Sequence, residues 1–531
     1  MYNMKCNKRD FIRTILVTVV LILLTRIVTL TYNRQLHPDE HVFGLTVNNM
    51  VQSILEPGIP FEEIKEYPEG TYYFQLPFQL AGQILRNLAN IEGTKGLQHI
   101  GRLASVFYFI IAVLLGLQLL RRYLSKNRVS LWIYGLTMSF SLFFIEQSRY
   151  GTGDIISLML LMLLINLTAR ALESSAKTGW WVAAFFVSGV LGAVKYPQLV
   201  FSLIPLAAFL LQPGFHKKRQ LCLYLLIIVS GFFLFSPKAM WDPGYVLRVI
   251  QREGNAYLSP WKSGGFVNHL LNLCLYLLIY SDFPLLPLVV LGGFLWRFLS
   301  LFSLHKKTAA ESGVTLLLAY IVPGVILFFF AYNLFVPNQF FRTYTPFFGV
   351  LTLYTAIAAE TLFAKNKWGQ AAVIFLAVCM VLRGAYFVWV LSDDGKIQEK
   401  LSAMISNTVD ENWKEIWYTC LFSFHIPEED GVSVHDNHFV DPLVEYNNNY
   451  GIQPGQLVIT GAQAFYLGRP YLLDVGEKTV HDWSCFTEAN QDYFVGQLYP
   501  ASYYYLFGGW IRGSTLSQYE LPCHYIYYRG Q

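Results

Sequence analysis

Between residues 11 and 391 the chain returns eleven times to an apolar run, many of them near 20 residues, the length that crosses a hydrocarbon core. The runs lie at 11–31, 99–120, 129–147, 154–172, 178–194, 197–212, 219–237, 284–304, 312–333, 344–363 and 369–391. A water-soluble fold could not cover so much apolar chain with the charges available. Hydrophobic residues make up 54% of the sequence and charged residues 14%, against about 45–50% and about 25% in soluble proteins. Mean hydropathy is +0.38. The expected fold is a polytopic α-helical membrane protein with about eleven transmembrane helices. The first run is too long for a cleaved signal and no small-residue cleavage site follows it, so it should remain as an anchor. No long basic tract is present, which gives nucleic-acid binding no support. Seven cysteines are scattered without CxxC spacing, so neither a zinc motif nor a redox motif is indicated.

Charge placement orients the spans, because short cytoplasmic loops collect Lys and Arg. Lys5, Lys8 and Arg9 precede the first span. Every second loop repeats the bias, from Arg121, Arg122, Lys126 and Arg128 through Arg170 and Lys177, then Lys217, Lys218 and Arg219, then Lys306 and Lys307, to Lys365 and Lys367. The long first outer loop, 31–98, is acidic instead, with eight carboxylates against four basic residues. The N-terminus is therefore expected inside and the C-terminus outside. Two domains follow from the hydropathy: a membrane domain over 1–392 and a small C-terminal extracytoplasmic α/β domain over 393–531. In the latter, Leu457–Thr460, Tyr471–Leu473 and Tyr503–Phe507 read as strands. Cys485 and Cys523 are its expected disulfide pair if the compartment is oxidising. The sole Asn-x-Ser/Thr site, Asn166-Leu167-Thr168, falls within a span. That favours a multi-pass bacterial plasma membrane over the endoplasmic reticulum membrane.

Ionisable groups close to lipid are costly and mark sites. Four clusters sit on the expected outer side. His37-Pro38-Asp39-Glu40 follows span one; the bland account is a helix cap at Asp39, which leaves the flanking His37 and His41 unexplained. Ser148-Arg149-Tyr150-Gly151-Thr152-Gly153-Asp154 forms a tight turn in which Asp154 caps and Arg149 reaches toward headgroups, or both serve a site. Lys195-Tyr196-Pro197 places a cation against the charge bias, where it snorkels or binds an anion. Arg342, in a fourth outer turn, has the fork geometry suited to phosphate. Tyr67-Pro68-Glu69-Gly70 is a rigid aromatic stretch leading into an amphipathic helix. Arg26, inside span one, should pair inward in a structural role. Carboxylates suit a base or a metal site, and cations suit a phosphate. On one face of a membrane, that combination fits a lipid-phosphate substrate whose head group meets a nucleophile.

At these residues the sequence resembles the GT-C superfamily of membrane glycosyltransferases, closest to the protein O-mannosyltransferase and aminoarabinose-transferase branch. The likeness rests on Asp39-Glu40 after span one, on Tyr67-Pro68-Glu69-Gly70, and on Arg149 before Asp154 at the head of span four. It continues in Lys195-Tyr196 after span five and in Arg342 with Tyr344 and Pro346. The His-Pro-Asp-Glu form also looks like the eukaryotic lipid-mannosyltransferase branch. Order is more specific than any one motif, and the likeness covers about residues 11–391. Glu69 departs from the pattern, since many relatives carry a second Pro there. The terminal domain shows no match.

The resemblance implies transfer of a sugar from a polyprenyl-phosphate donor to a glycan, lipid or protein acceptor on the outer face. The chemistry of the residues agrees. A carboxylate can take the acceptor's proton as it attacks, and a lipid-phosphate leaving group needs its charge offset by cations. Asp39 is the expected base, with Glu40 assisting. Lys195, Arg342 and Arg149 are expected on the phosphate, and Tyr196, His37, Tyr67 and Glu69 on the substrate. Asp154 orients Asp39's loop or joins it on a divalent metal; metal use stays open. Two other readings remain: a lipid-linked-glycan flippase, or a transferase of preassembled glycans. Transporter sites lie near the midplane between repeats, and no repeat is visible here.

Overall fold

The structure is a computed structural model of the chain. It describes residues 8–32, 38–56, 68–89, 97–125, 127–173, 178–211, 218–257, 313–334 and 341–394. Beyond these it describes residue 403, 415–418, 433–436, residue 452, 454–460, 488–498 and 524–529. The chain divides into two compact units. The first comprises Met1–Arg26, Val42–Ser259 and Ser281–Gly384; the second comprises Ile27–His41, Pro260–Tyr280 and Ala385–Gln531.

Ten of the eleven expected runs coincide with helical elements; the run at 284–304 lies outside the described residues. Helix α1 spans Lys8–Tyr32, α2 Pro38–Leu55, α3 Gly70–Leu88 and α4 Leu97–Leu119. They are followed by α5 over Arg128–Phe140, α6 over Leu142–Ser148, α7 over Gly153–Glu173 and α8 over Thr178–Val194. Next come α9 over Leu203–Leu210, α10 over Lys218–Leu234, α11 over Pro237–Trp241 and α12 over Pro243–Tyr257. Later helices run from Thr345 to Lys365 and from Lys367 to Asp394. Among the described residues, five helices are long and apolar enough to cross a membrane, or six if the bent pair α5–α6 is one span. Part of the shortfall is a matter of helix length. Helix α8 has 17 residues, and at 1.5 Å per residue it falls short of a core about 30 Å thick.

In the first unit, α7 is the central helix, buried along nearly its whole length. It packs against α4, α8 and Thr345–Lys365. Helices α8 and α10 meet backbone to backbone, since a Cβ on Gly189 would strike the Ile228 carbonyl and one on Gly231 the Phe186 carbonyl. Small residues serve this purpose in membranes, where close packing replaces the hydrophobic drive.

The third span breaks by 56° between α5 and α6, at Ser141, whose backbone is extended. The break frees carbonyls at the end of α5, and Arg26 fills the gap. Its guanidinium donates to Met138 O at 2.9 Å and to Ser139 O. It also donates to Ser148 Oγ at 3.0 Å and lies 4.9 Å from the Phe109 ring centroid. Arg26 therefore pairs inward, as its place in span one implies.

In the second unit the described strands are β1 Glu415–Tyr418, β2 Ser433–Asp436, β3 Gln456–Thr460, β4 Phe494–Leu498 and β5 His524–Arg529. They form one mixed sheet in the order β2-β1-β3-β5-β4, with β1 parallel to β2 and β3, and β5 antiparallel to β3 and β4. Strand β3 sits at the centre and buries Leu457 and Val458, which explains its unbroken apolar run. Gly455 turns into it at φ 84°, a conformation Gly adopts without steric cost. The strands expected at Tyr471–Leu473 and Tyr503–Phe507, and the Cys485–Cys523 pair, lie outside the described residues.

Candidate active site

The N-terminal ends of α3 and α7 and the C-terminal end of α8 converge because their backbones touch. A Cβ on Gly70 would lie 2.7 Å from the Ala193 carbonyl carbon, and one on Gly153 would lie 2.6 Å from Thr71 Oγ1. Thr71 Oγ1 donates to Val194 O at 3.3 Å. The turn before α7 is fastened from two more sides: Gln75 Nε2 donates to Gly151 O at 2.6 Å, and Ser105 Oγ donates to Tyr150 O at 2.6 Å. Asp154 and Lys195 leave this junction as neighbours.

Lys195 Nζ lies 2.6 Å from Asp154 Oδ1, and Thr152 Oγ1 donates to Asp154 Oδ2 at 3.2 Å. The Asp154 side chain is 4% exposed and that of Lys195 21%. This is a largely desolvated ion pair, open to its surroundings on the lysine side. Two sequence-predicted residues, 41 positions apart, thus meet. The lysine keeps two ammonium N–H groups with its position fixed by the carboxylate.

Other predicted residues divide differently. Arg149 is buried, and its Nη2 donates to Glu146 Oε1 and to Tyr150 Oη, each at 2.7 Å. It is turned to the protein rather than toward headgroups. Glu69 is also buried, just before α3. Its Oε2 accepts from Ser236 Oγ at 3.0 Å and from Lys238 N at 2.9 Å, so it anchors the turn that starts α11. Lys238 Nζ lies 4.6 Å from the Tyr245 ring centroid. Asp242 follows, its carboxyl held below the ordinary 3.8 by a hydrogen bond from Arg248. Tyr196 opens a 3-10 helix, Tyr196–Ser202, with its ring 5.8 Å from that of Phe232.

Asp39 and Glu40 lie in the first turn of α2, which begins at Pro38, so Asp39 stands inside the helix rather than at its cap. Arg342 lies in a 3-10 turn, Phe341–Tyr344. The side chains of these three, and all of His37 and Tyr67, lie outside the described residues.

The sequence reading missed a set of buried polar groups within three positions of Arg149 and Lys195 in the chain. Glu146 Oε2 and Gln147 Oε1 on α6, and both polar atoms of Gln198, are buried with no hydrogen-bond partner. Each such group costs about 1–3 kcal/mol. A Gln three residues after Lys195 was the available signal. Among the described residues no three His, Cys, Asp or Glu groups cluster, and Asp154 engages Lys195 and Thr152.

Residues 84–241 match the family model for dolichyl-phosphate-mannose-protein mannosyltransferase. That segment contains the Asp154–Lys195 pair, Arg149 and Tyr196. Over that segment the chain is similar to this mannosyltransferase family. Solved structures similar to this chain include ArnT from Cupriavidus metallidurans bound to undecaprenyl phosphate, at 14% identity and a TM-score of 0.47, covering 85% of this chain and 93% of that one. The apo state of ArnT has the same identity and coverage and a TM-score of 0.49. The Archaeoglobus fulgidus oligosaccharyltransferase in complex with Zn and sulfate shows 13% identity and a TM-score of 0.42, covering 75% of this chain and 56% of that one. No curated protein matches the chain.

Proposed function

We propose that this chain is a glycosyltransferase that moves a sugar from a polyprenyl-phosphate-linked donor to an acceptor hydroxyl on the extracytoplasmic face, in one inverting displacement. The observation that carries the reading is the buried Asp154–Lys195 pair within the segment that matches a lipid-phosphate-sugar-dependent family. Asp39 is the proposed base, with Glu40 assisting. The acceptor oxygen forms a bond to the anomeric carbon, its proton passes to the Asp39 carboxylate, and the carbon–oxygen bond to phosphate breaks with its electron pair leaving on phosphate. Lys195, held by Asp154, and Arg342 offset that charge. Arg149 reaches a phosphate only by releasing Glu146 or Tyr150, so its place in the reading is secondary. A divalent metal is assigned no step.

The proposed topology keeps eleven spans, a cytoplasmic N-terminus and a bacterial plasma membrane. The proposed division keeps a membrane domain over 1–392 and an extracytoplasmic domain over 393–531. Purified protein given a labelled polyprenyl-phosphate monosaccharide and a panel of glycan, lipid and peptide acceptors tests the function. Transfer with inverted configuration is expected. Movement of the donor across a vesicle membrane without turnover would replace the transferase by a flippase.

A further inference from the structure

Gln198 is fully buried, and among the described residues neither its amide nitrogen nor its amide oxygen has a hydrogen-bond partner. A carboxamide offers two donors and two lone pairs, so a core position that uses none of them is wasteful unless something else does. Its place in the chain indicates what. Gln198 N donates to Lys195 O at 2.9 Å, which sets it one 3-10 turn beyond the lysine. Lys195 is the N-cap of that 3-10 helix, so the orphan amide belongs to the first turn after the residue whose ammonium is fixed against Asp154 and whose side chain remains partly open.

We propose that Gln198 is a substrate-reading residue that hydrogen-bonds a hydroxyl of the donor's sugar while Lys195 holds the adjoining phosphate. This rests on the polyprenyl-phosphate-sugar reading of the site. A sugar hydroxyl both donates and accepts, which suits an amide with both capacities unused. Among the described residues the carboxamide has no protein hydrogen bond to give up before it meets a ligand. Apolar neighbours account for its dryness: the same 3-10 helix buries Phe201 against Phe329, with ring centroids 4.8 Å apart. A hydroxyl-bearing ligand would fill the missing bonds; a purely apolar one would not.

The discriminating variants are Gln198→Met and Gln198→Leu, which keep similar volume and delete the amide. Binding is measured with two probes, a polyprenyl-phosphate monosaccharide and the same polyprenyl phosphate without sugar, alongside melting temperature and turnover. The expected result is a loss of about five- to ten-fold in affinity for the sugar-bearing donor and lower turnover at limiting donor. Affinity for the bare carrier and melting temperature should be unchanged or higher. Equal losses for both probes would overturn the assignment, because they place the amide's effect on phosphate or fold. Unchanged donor affinity would overturn it in favour of a packing role or a bound water. Failure of both variants to fold would overturn the premise that the amide has no partner. If the parent protein shows neither donor binding nor turnover, the failure lies with the proposed function instead.

Discussion

Removing Lys195 should cost stability as well as activity, and the structure gives the size. The sequence alone leads to the expectation that Lys195→Ala spares the fold, because an outer-turn lysine fills no core. The ion pair changes that. Lys195→Met would strip the Asp154 carboxylate, 4% exposed, of the ammonium 2.6 Å away, while Thr152 Oγ1 still donates to it. Breaking a buried pair by deleting one member costs about 3–5 kcal/mol. The lysine's 21% exposure lets solvent reach the vacated end, which lowers the figure to about 2–3 kcal/mol. Asp154→Asn in the same background removes the stranded charge and should recover most of that loss. Sugar transfer should not recover, since the ammonium proposed to hold the phosphate is still missing.

The assay is a double-mutant cycle on purified protein in one detergent, reading melting temperature and turnover for the parent, Lys195→Met, Asp154→Asn and the double variant. A coupling of about 1–3 kcal/mol is expected, with the double variant more stable than Lys195→Met alone. Two outcomes would refute the reasoning. One is additive stability effects, which would mean the two charges do not meet. The other is a stable Lys195→Met protein with normal donor use, which would remove the lysine from both fold and site.

Asp39→Asn should give a folded protein that binds the polyprenyl-phosphate donor but transfers about 10²–10⁴-fold more slowly; near-normal transfer would return Asp39 to a structural role in α2 and make Asp154 the next candidate base. Arg342→Ala should weaken donor use by roughly ten- to a hundred-fold, the worth of a charge-assisted hydrogen bond, read as donor affinity in a titration. Gly70→Ala places a Cβ against the Ala193–Val194 backbone and should destabilise by about 1–3 kcal/mol, measured as a drop in melting temperature; an unchanged value would mean the α3–α8 contact yields easily. A reporter active only outside the cytoplasm, fused after Gln531, should be active, and an inactive one on intact protein would put the span count off by one.

Apolar runs were legible because an intramembrane helix must satisfy its own backbone, so length and hydropathy mark it locally. What the runs do not carry is the cause of a bend. The break at Ser141 has neither Pro nor Gly beside it, and its stabiliser, Arg26, sits more than 110 residues upstream. A kink held by a side chain from another helix leaves no local trace. The polar site divides along the same line. Ionisable residues at the expected ends of spans stood out, which brought Asp154, Lys195, Arg149 and Glu69 forward. Their partners did not, because a partner is chosen across helices. Asp154 takes Lys195, Arg149 takes Glu146, and Glu69 takes the turn at Ser236–Lys238. That pairing changes what each can do. A lysine already beside a carboxylate offers a fixed pair of N–H groups more than a free charge. An arginine shared with Glu146 and Tyr150 must give up bonds before it can hold a phosphate. In a dry site, an outer-face cation has to be judged together with the group that balances it. By that measure Lys195, with its open side and an unused amide one turn away, is better placed for substrate than the buried Arg149.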